Sequence, residues 1–228
     1  MARLQWNPLT EIIDMKDIAI IGAGGFGREV ACIIRQINDI SPTWNLIGFY
    51  DDDPSLQGVS NSYGEVIGNV ESLNSIEKQL SVVVAIGSPM AISNIVTRLS
   101  NPKLDFPNII APSTTFLDKG SVSLGKGNIV GSNCSVSCNI SIGNFTVINC
   151  MTQIGHDVTI GDCNVIMPSC NISGGVKIGN CNFMGVKSIV LQYLSIGNNT
   201  RIGAASVVMR NTKDSLLYLG NPAKGIEL

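Results

Sequence analysis

Aromatic side chains are scarce in this sequence of 228 residues, making up only 5 % of it. The hydrophobic fraction of 44 % is enough for a core. That core has to be filled with Ile, Val, Leu and small residues, which suits stacked β-structure better than a helical bundle. Charge of one sign is also missing. The formal net charge is −2, with no dense run of Lys and Arg, which argues against nucleic acid or an anionic membrane as the main partner. A phosphorylated small ligand needs only a few local donors and stays open. No apolar run approaches the ~20 residues of a membrane span, so no membrane insertion is expected. Histidine occurs once, at position 156. There are seven cysteines, but no CxxC pair, and one histidine is too few for a mixed zinc site, so no metal is expected. The thiols read as small buried residues in a reducing cytosol, and the expected localisation is cytoplasmic. Residues 1–14 carry Glu11 and Asp14 and no apolar segment, so they do not read as a signal peptide. Residues 1–16 are taken as a short arm, with Met15 a natural chain start.

From residue 17 to about 108 the pattern is α/β. Asp17 to Ile21 is a short apolar run that reads as a buried strand. It leads into Gly22-Ala23-Gly24-Gly25-Phe26-Gly27 and then a helical pattern from Arg28 to Ile37, with Val30, Ile33, Ile34 and Ile37 on one face. Strand, glycine turn and helix form the context in which a GxGxxG match carries weight, because a helix N-terminus offers free N–H groups to a phosphate. A second strand, Trp44 to Tyr50, ends in Asp51-Asp52-Asp53. A third, Val82 to Ile86, ends in Gly87-Ser88-Pro89, and a helix is expected over Met90 to Leu99. Ligands of open parallel sheets bind beyond the carboxyl ends of the strands, where these glycines and acids fall. Three readings stand side by side. The lobe binds NAD, it binds the nucleotide part of a substrate, or it only packs. Its length, about half of a full two-lobed Rossmann sheet, weighs against NAD.

From residue 109 the pattern changes to a repeat of six. Every sixth residue from Leu124 to Val208 is Ile, Leu, Val or Met, fifteen positions in all, and glycine follows nine of them. Four residues after each aliphatic stands a mostly small or β-branched residue, such as Cys134, Thr146, Val158 or Ser206. The expected structure is a parallel β-helix. Each hexad makes a short strand and a corner, the aliphatic residue points inward, and Gly and Asn serve corners where φ is positive. Three hexads close a coil, so fifteen give five coils, and stacking buries what one coil cannot. His156 lies on such a corner, with Cys138 and Gly174 one coil away on either side.

The hexads with aliphatic-Gly starts, together with Gly220-Asn221-Pro222-Ala223-Lys224 near the end, resemble the left-handed β-helix acyltransferases. The left hand comes from that resemblance alone. The GxGGxG lobe, the strand ending in Asp-Asp and the Gly-His-Asp motif narrow it to the PglD/NeuD-type sugar acetyltransferase family, over nearly the whole chain from residue 17. The resemblance implies a Rossmann-like sugar-nucleotide-binding domain at 17–108 and a left-handed β-helix at 109–228 that binds acetyl-CoA and carries the catalysis. It implies His156 as general base and Asp157 as its orienting acid. Gly174 would give a backbone N–H to the oxyanion. Ala204, Ala205, Pro222 and Lys224 would line the CoA, while Gly24, Gly25, Phe26, Asp51, Asp52 and Gly87 would hold the substrate. Phe26 stands where many members have His. The expected assembly is a homotrimer with CoA in the groove between β-helices.

The expected activity is acetyl-CoA-dependent N-acetylation of a nucleotide-linked 4-amino-4,6-dideoxy sugar, carried on UDP, in bacterial glycan or capsule building. Two alternatives remain at this point. One is a sugar O-acetyltransferase acting on a sialic acid or another hydroxyl, since the same base serves either nucleophile. The other is a non-catalytic trimeric β-helix scaffold.

Overall fold

The computed structural model describes residues 15–227. The arm expected over 1–16 falls outside the described residues except for Met15 and Lys16. The chain enters a six-stranded sheet through β1 (Lys16–Ile21), with Ile18 to Ile21 buried. Beside it lie β2 (Trp44–Tyr50), β3 (Ser60–Asn61), β4 (Gly64–Gly68), β5 (Leu80–Val84) and β6 (Leu104–Asp105), in the order β3-β4-β2-β1-β5-β6. All neighbours pair parallel except the β3–β4 hairpin.

The helix after the glycine turn, α1 (Gly25–Ile40), is longer than the periodicity predicts at both ends. It starts inside the glycine motif itself. Gly27 has to be glycine because a Cβ there would meet the Gly22 carbonyl oxygen. α2 (Pro89–Arg98) begins one residue earlier than predicted, with the Ser88 hydroxyl accepting from Ala91 N–H. β5 sits two residues earlier than predicted. Ala85 and Ile86 already belong to the turn that leads to α2.

The remainder is a left-handed parallel β-helix of three sheets. The first sheet includes Ile129–Val130, Val147–Ile148, Val165–Ile166, Phe183–Met184 and Arg201–Ile202. The second includes Ser135–Val136, Gln153–Ile154 and Asn171–Ile172, and the third Ile140–Ile142, Thr159–Ile160 and Lys177–Ile178. Val130 pairs with Ile148, Val136 with Ile154 and Ile142 with Ile160, so stacked residues lie 18 apart. Every aliphatic of the row from Val130 to Val208 is buried, which at ~1.5–3 kcal/mol per side chain is the main favourable term of this part.

Two expectations about the repeat are corrected. Within the domain expected from residue 109, the stacked coils number more than the five counted from Leu124 to Val208. Ile109–Ile110 and Thr115–Phe116 pair with the strands at 129–130 and 135–136, and add most of a coil. A short 3-10 turn at Lys119–Ser121 separates Phe116 from Leu124 and throws the count off six. The second correction concerns the glycines after the aliphatics. Positive φ lies two residues further on, at Asn133, Asn139, Phe145, Met151, Asp157 and so on in steps of six. The glycines serve close packing instead. A Cβ at Gly155 would sit 2.7 Å from the Gly174 nitrogen of the next coil.

The lobe packs on the outer face of the first sheet. Ile129, Val147 and Val165 share one buried cluster with Val30, Ile33 and Val83 of the lobe. Outward residues of the other two sheets, such as Gln153, Asn171, Thr159 and Lys177, stay exposed. Cys134, Cys163 and Cys170 are buried while the other four cysteines are half-buried, so the expectation of buried thiols holds for three. Burial pushes the Cys134 thiol up to about 11 and Cys163 up to about 12, which keeps both in the unreactive thiol form.

Candidate active site

His156 and Asp157 occupy the corner between the second and third sheets, opposite the face that the lobe covers. Asp157 has φ 58°, a left-handed conformation that aspartate adopts more readily than most residues. This turns its side chain back along the corner. Its Oδ2 lies 2.7 Å from His156 Nδ1, and its Oδ1 accepts from Asn139 Nδ2 at 3.0 Å. The hydrogen bond to His156, then that to Asn139, holds the Asp157 carboxyl below the usual carboxylate range. Both side chains are about half exposed. An anionic Asp157 accepts a hydrogen bond from Nδ1–H, so in the neutral ring Nε2 is left with its lone pair free.

The ring leans over Gly174. A Cβ on that glycine would sit 2.5 Å from Nε2, so no other residue leaves the ring its place. The Gly174 N–H donates to no protein acceptor among the described residues, whereas its neighbour Gly175 donates to the His156 carbonyl at 2.8 Å. A proton acceptor and a free backbone donor therefore stand on successive coils of one corner. That pair suits proton removal from a nucleophile and stabilisation of an oxyanion.

Ala204 and Ala205 lie on a different corner, between the first and second sheets. The Ala205 N–H is taken by the Val186 carbonyl, while the Ala204 N–H has no acceptor among the described residues. The closing hairpin, Leu217–Gly220 with Ala223–Ile226, extends the first sheet here. Gly220 donates to the Ser206 hydroxyl, which brings the turn carrying Pro222 and the exposed Lys224 to the same end.

The lobe residues form a third group. Gly24 caps α1 and Gly25 opens it, both with open space where a Cβ would project, as at Gly87. Asp51 Oδ2 accepts from Ala23 N–H at 2.8 Å, which ties the end of β2 to the glycine turn. Asp52 is engaged elsewhere. It pairs with Arg98 at 2.7 Å and accepts from Val70 N–H, and the Arg98 hydrogen bond is the first cause of its lowered pKa. Phe26 lines a cleft of about 440 Å³ between α1 and the β-helix, with Glu29 and Cys32 on one wall and Asn149, Cys150 and Met151 on the other. Sequence reasoning missed those wall residues. Glu29 and Cys32 follow the glycine motif on α1 but carry no motif of their own, and only the packing of the lobe on the first sheet brings Asn149, Cys150 and Met151 to Phe26. No group of His, Cys, Asp or Glu among the described residues could hold a metal ion, and no described helix is long and apolar enough to cross a membrane.

Residues 17–99 match the PglD N-terminal domain family. No curated protein matches the chain. Among solved structures, a histidine variant of perosamine N-acetyltransferase from Caulobacter crescentus, in complex with CoA and GDP-perosamine, is 28 % identical. It aligns over 92 % of this chain and 96 % of its own, with a TM-score of 0.83. The acetyltransferase domain of PglB from Neisseria gonorrhoeae, in complex with acetyl coenzyme A, is 25 % identical over 93 % of this chain and 100 % of its own, with a TM-score of 0.70. WeeI from Acinetobacter baumannii, at 24 % identity and a TM-score of 0.81 over 93 % of this chain and 100 % of its own, shares the fold. Residues 17–99 thus belong to the PglD N-terminal domain family, and the chain as a whole, with lobe and β-helix together, is similar to CoA-dependent sugar N-acetyltransferases.

Proposed function

We propose that the chain transfers the acetyl group of acetyl-CoA to the amine of a nucleotide-linked 4-amino-4,6-dideoxy sugar, in the cytoplasm, for bacterial glycan or capsule building. The observation that carries this reading is the His156–Asp157 pair set against the free Gly174 N–H. The amine attacks the thioester carbonyl carbon while His156 Nε2 takes its proton. The negative charge that develops on the carbonyl oxygen meets the Gly174 N–H. Collapse breaks the C–S bond, and the CoA thiolate leaves and is protonated from the imidazolium. Asp157 keeps the ring in the productive tautomer and stabilises its cationic form. Amine rather than hydroxyl as the acceptor is favoured by the perosamine enzyme, an N-acetyltransferase crystallised with CoA and its GDP-sugar.

In this reading residues 17–108 take the nucleotide sugar and 109–228 the acetyl-CoA. Asp51 and the Gly24–Gly25 turn hold the nucleotide, Phe26 shapes the cleft beside it, and Asp52 braces the loop through Arg98. The Ala204 N–H, Ala205, Pro222 and Lys224 line the CoA. These groups lie on separate edges of one β-helix, and the His156 corner faces away from the chain's own lobe. We therefore propose a homotrimer in which a second copy completes each site.

The test is an acetyl-CoA consumption assay against UDP-, GDP- and dTDP-linked amino and hydroxy sugars, with mass spectrometry of the products. An amino sugar gaining one acetyl group as an amide is the expected result, with UDP the expected carrier and GDP the carrier of the perosamine relative. Turnover on hydroxyl sugars alone would overturn it.

A further inference from the structure

We infer that Asn139 is a positioning residue for the reaction, holding Asp157 in the orientation that keeps the proton on His156 Nδ1 and leaves Nε2 free as the base. Asn139 sits one coil below Asp157, 18 residues earlier. Both residues are in the left-handed conformation, at φ 56° and 58°, so their side chains leave the corner in the same sense on successive coils. Asn139 is itself held from below, its backbone N–H donating to the Ser121 hydroxyl at 2.9 Å. Its amide donates to Asp157 Oδ1, and the other carboxylate oxygen receives His156 Nδ1. One donor on each oxygen fixes the rotation of an exposed carboxylate that no buried wall supports. A carboxylate free to swing away from Nδ1 would let the neutral ring protonate at either nitrogen, and the Nε2–H form is no base.

The rest of the corner offers no substitute. The coil below adds Cys138, whose side-chain partner among the described residues is the Ser137 hydroxyl. The coil above adds Gly174 and Gly175, with the Tyr193 ring over Gly175. Cys138 and Tyr193 are the titratable groups of those neighbouring turns, and neither is hydrogen-bonded to the pair. A purely local role for Asn139, as a residue that tolerates positive φ, is separable from this one. Glycine adopts that conformation at no steric cost, and aspartate adopts it nearly as readily as asparagine.

The kinetic arm of the test rests on the acetyl-transfer reading, and the spectroscopic arm does not. His156 is the only histidine in the chain, so selectively labelled imidazole gives one unambiguous NMR signal set for its tautomer and titration. In the parent protein the Nδ1–H tautomer is expected. In Asn139→Gly that tautomer is expected to lose its dominance, with kcat down roughly 10-fold, the scale of one hydrogen bond to a charged group, and KM for acetyl-CoA unchanged. In Asn139→Asp, a second carboxylate against Asp157 should raise the His156 titration midpoint by about one unit and move the acid limb of the rate profile with it. Parental tautomer in Asn139→Gly together with a parental midpoint in Asn139→Asp would overturn the assignment. If no acceptor is acetylated by the parent protein, the functional reading fails and the NMR result still decides this one.

Discussion

Two corners of the same β-helix each carry an aspartate, and they differ in what closes them. At the corner between the third and first sheets the backbone is sealed by side chains of the next coil. Asn144 N–H donates to Asp162, Asp162 N–H to Asn180, Asn180 N–H to Asn198 and Asn198 N–H to Asp214, at 2.7–2.9 Å. At the corner between the second and third sheets no such ladder exists. The equivalent N–H groups of Cys138, His156 and Gly174 have no acceptor among the described residues, and Asp157 bonds to side chains instead of backbone. One scaffold thus makes a closed corner and an open one by exchanging a single residue type per hexad. The open corner is where backbone N–H donors and His156 Nε2 are left without partners among the described residues, free for the chemistry proposed above.

The largest effect should come from His156→Ala. Loss of the general base should lower kcat by roughly 10²–10⁴-fold with the melting temperature retained, and steady-state kinetics of acetyl transfer reads it. Gly174→Ala comes next. Its methyl would occupy the place of the ring, 2.5 Å from Nε2, and displacement of the base on this scale should lower kcat by about 10²-fold. Turnover within a few-fold of the parent would show that the ring need not sit over Gly174.

The closed corner should answer to stability instead. Asp162→Ala leaves Asn144 without its acceptor and should cost about 1–3 kcal/mol in denaturant unfolding while kcat stays at the parental value. A fall in kcat to match Asp157→Ala would erase the distinction between the two corners. The Asp157 carboxyl is held below its ordinary range. The stability this contributes is present above the unfolded-state pKa and lost as pH falls through the lower folded value. Melting temperature across that acid range should therefore drop less steeply in Asp157→Asn. The smallest effect is expected from Phe26→His at the cleft, a few-fold change in acceptor KM with kcat and the KM for acetyl-CoA near parental.

The β-helix was legible because its contacts repeat at a fixed interval. The row from Leu124 to Val208 announces register, interior and corner together, and His156 stands out against it. The domain was read from residue 109, but its strands before Leu124 did not join the count of hexads, because Phe116 is aromatic and the turn at Lys119–Ser121 breaks the interval. The roles of the glycines were misread for a related reason. Composition marks a glycine but does not tell a positive φ from a close approach, and only the stacked coil above Gly155 separates the two. In the lobe, the strand-glycine-helix signal located Gly24 and Gly25. Nothing in the sequence told Asp51, bonded to the glycine turn, from Asp52, paired with Arg98 across the sheet edge. Asn139 was equally hidden, since it looks like any corner asparagine until the coil above it is in place.

In the proposed trimer the open corner of one copy works against the lobe of another. This claim is tested most directly by co-expressing His156→Ala and Asp51→Ala chains in equal amounts and assaying acetyl transfer by the mixed assemblies. Each variant alone should be nearly inactive. Random mixing should restore about a quarter of the parental activity per site, because a site then draws its base from one chain and its lobe from the other. Mixed assemblies no more active than the separate variants would contradict the claim and put the base and the lobe of each site in a single chain.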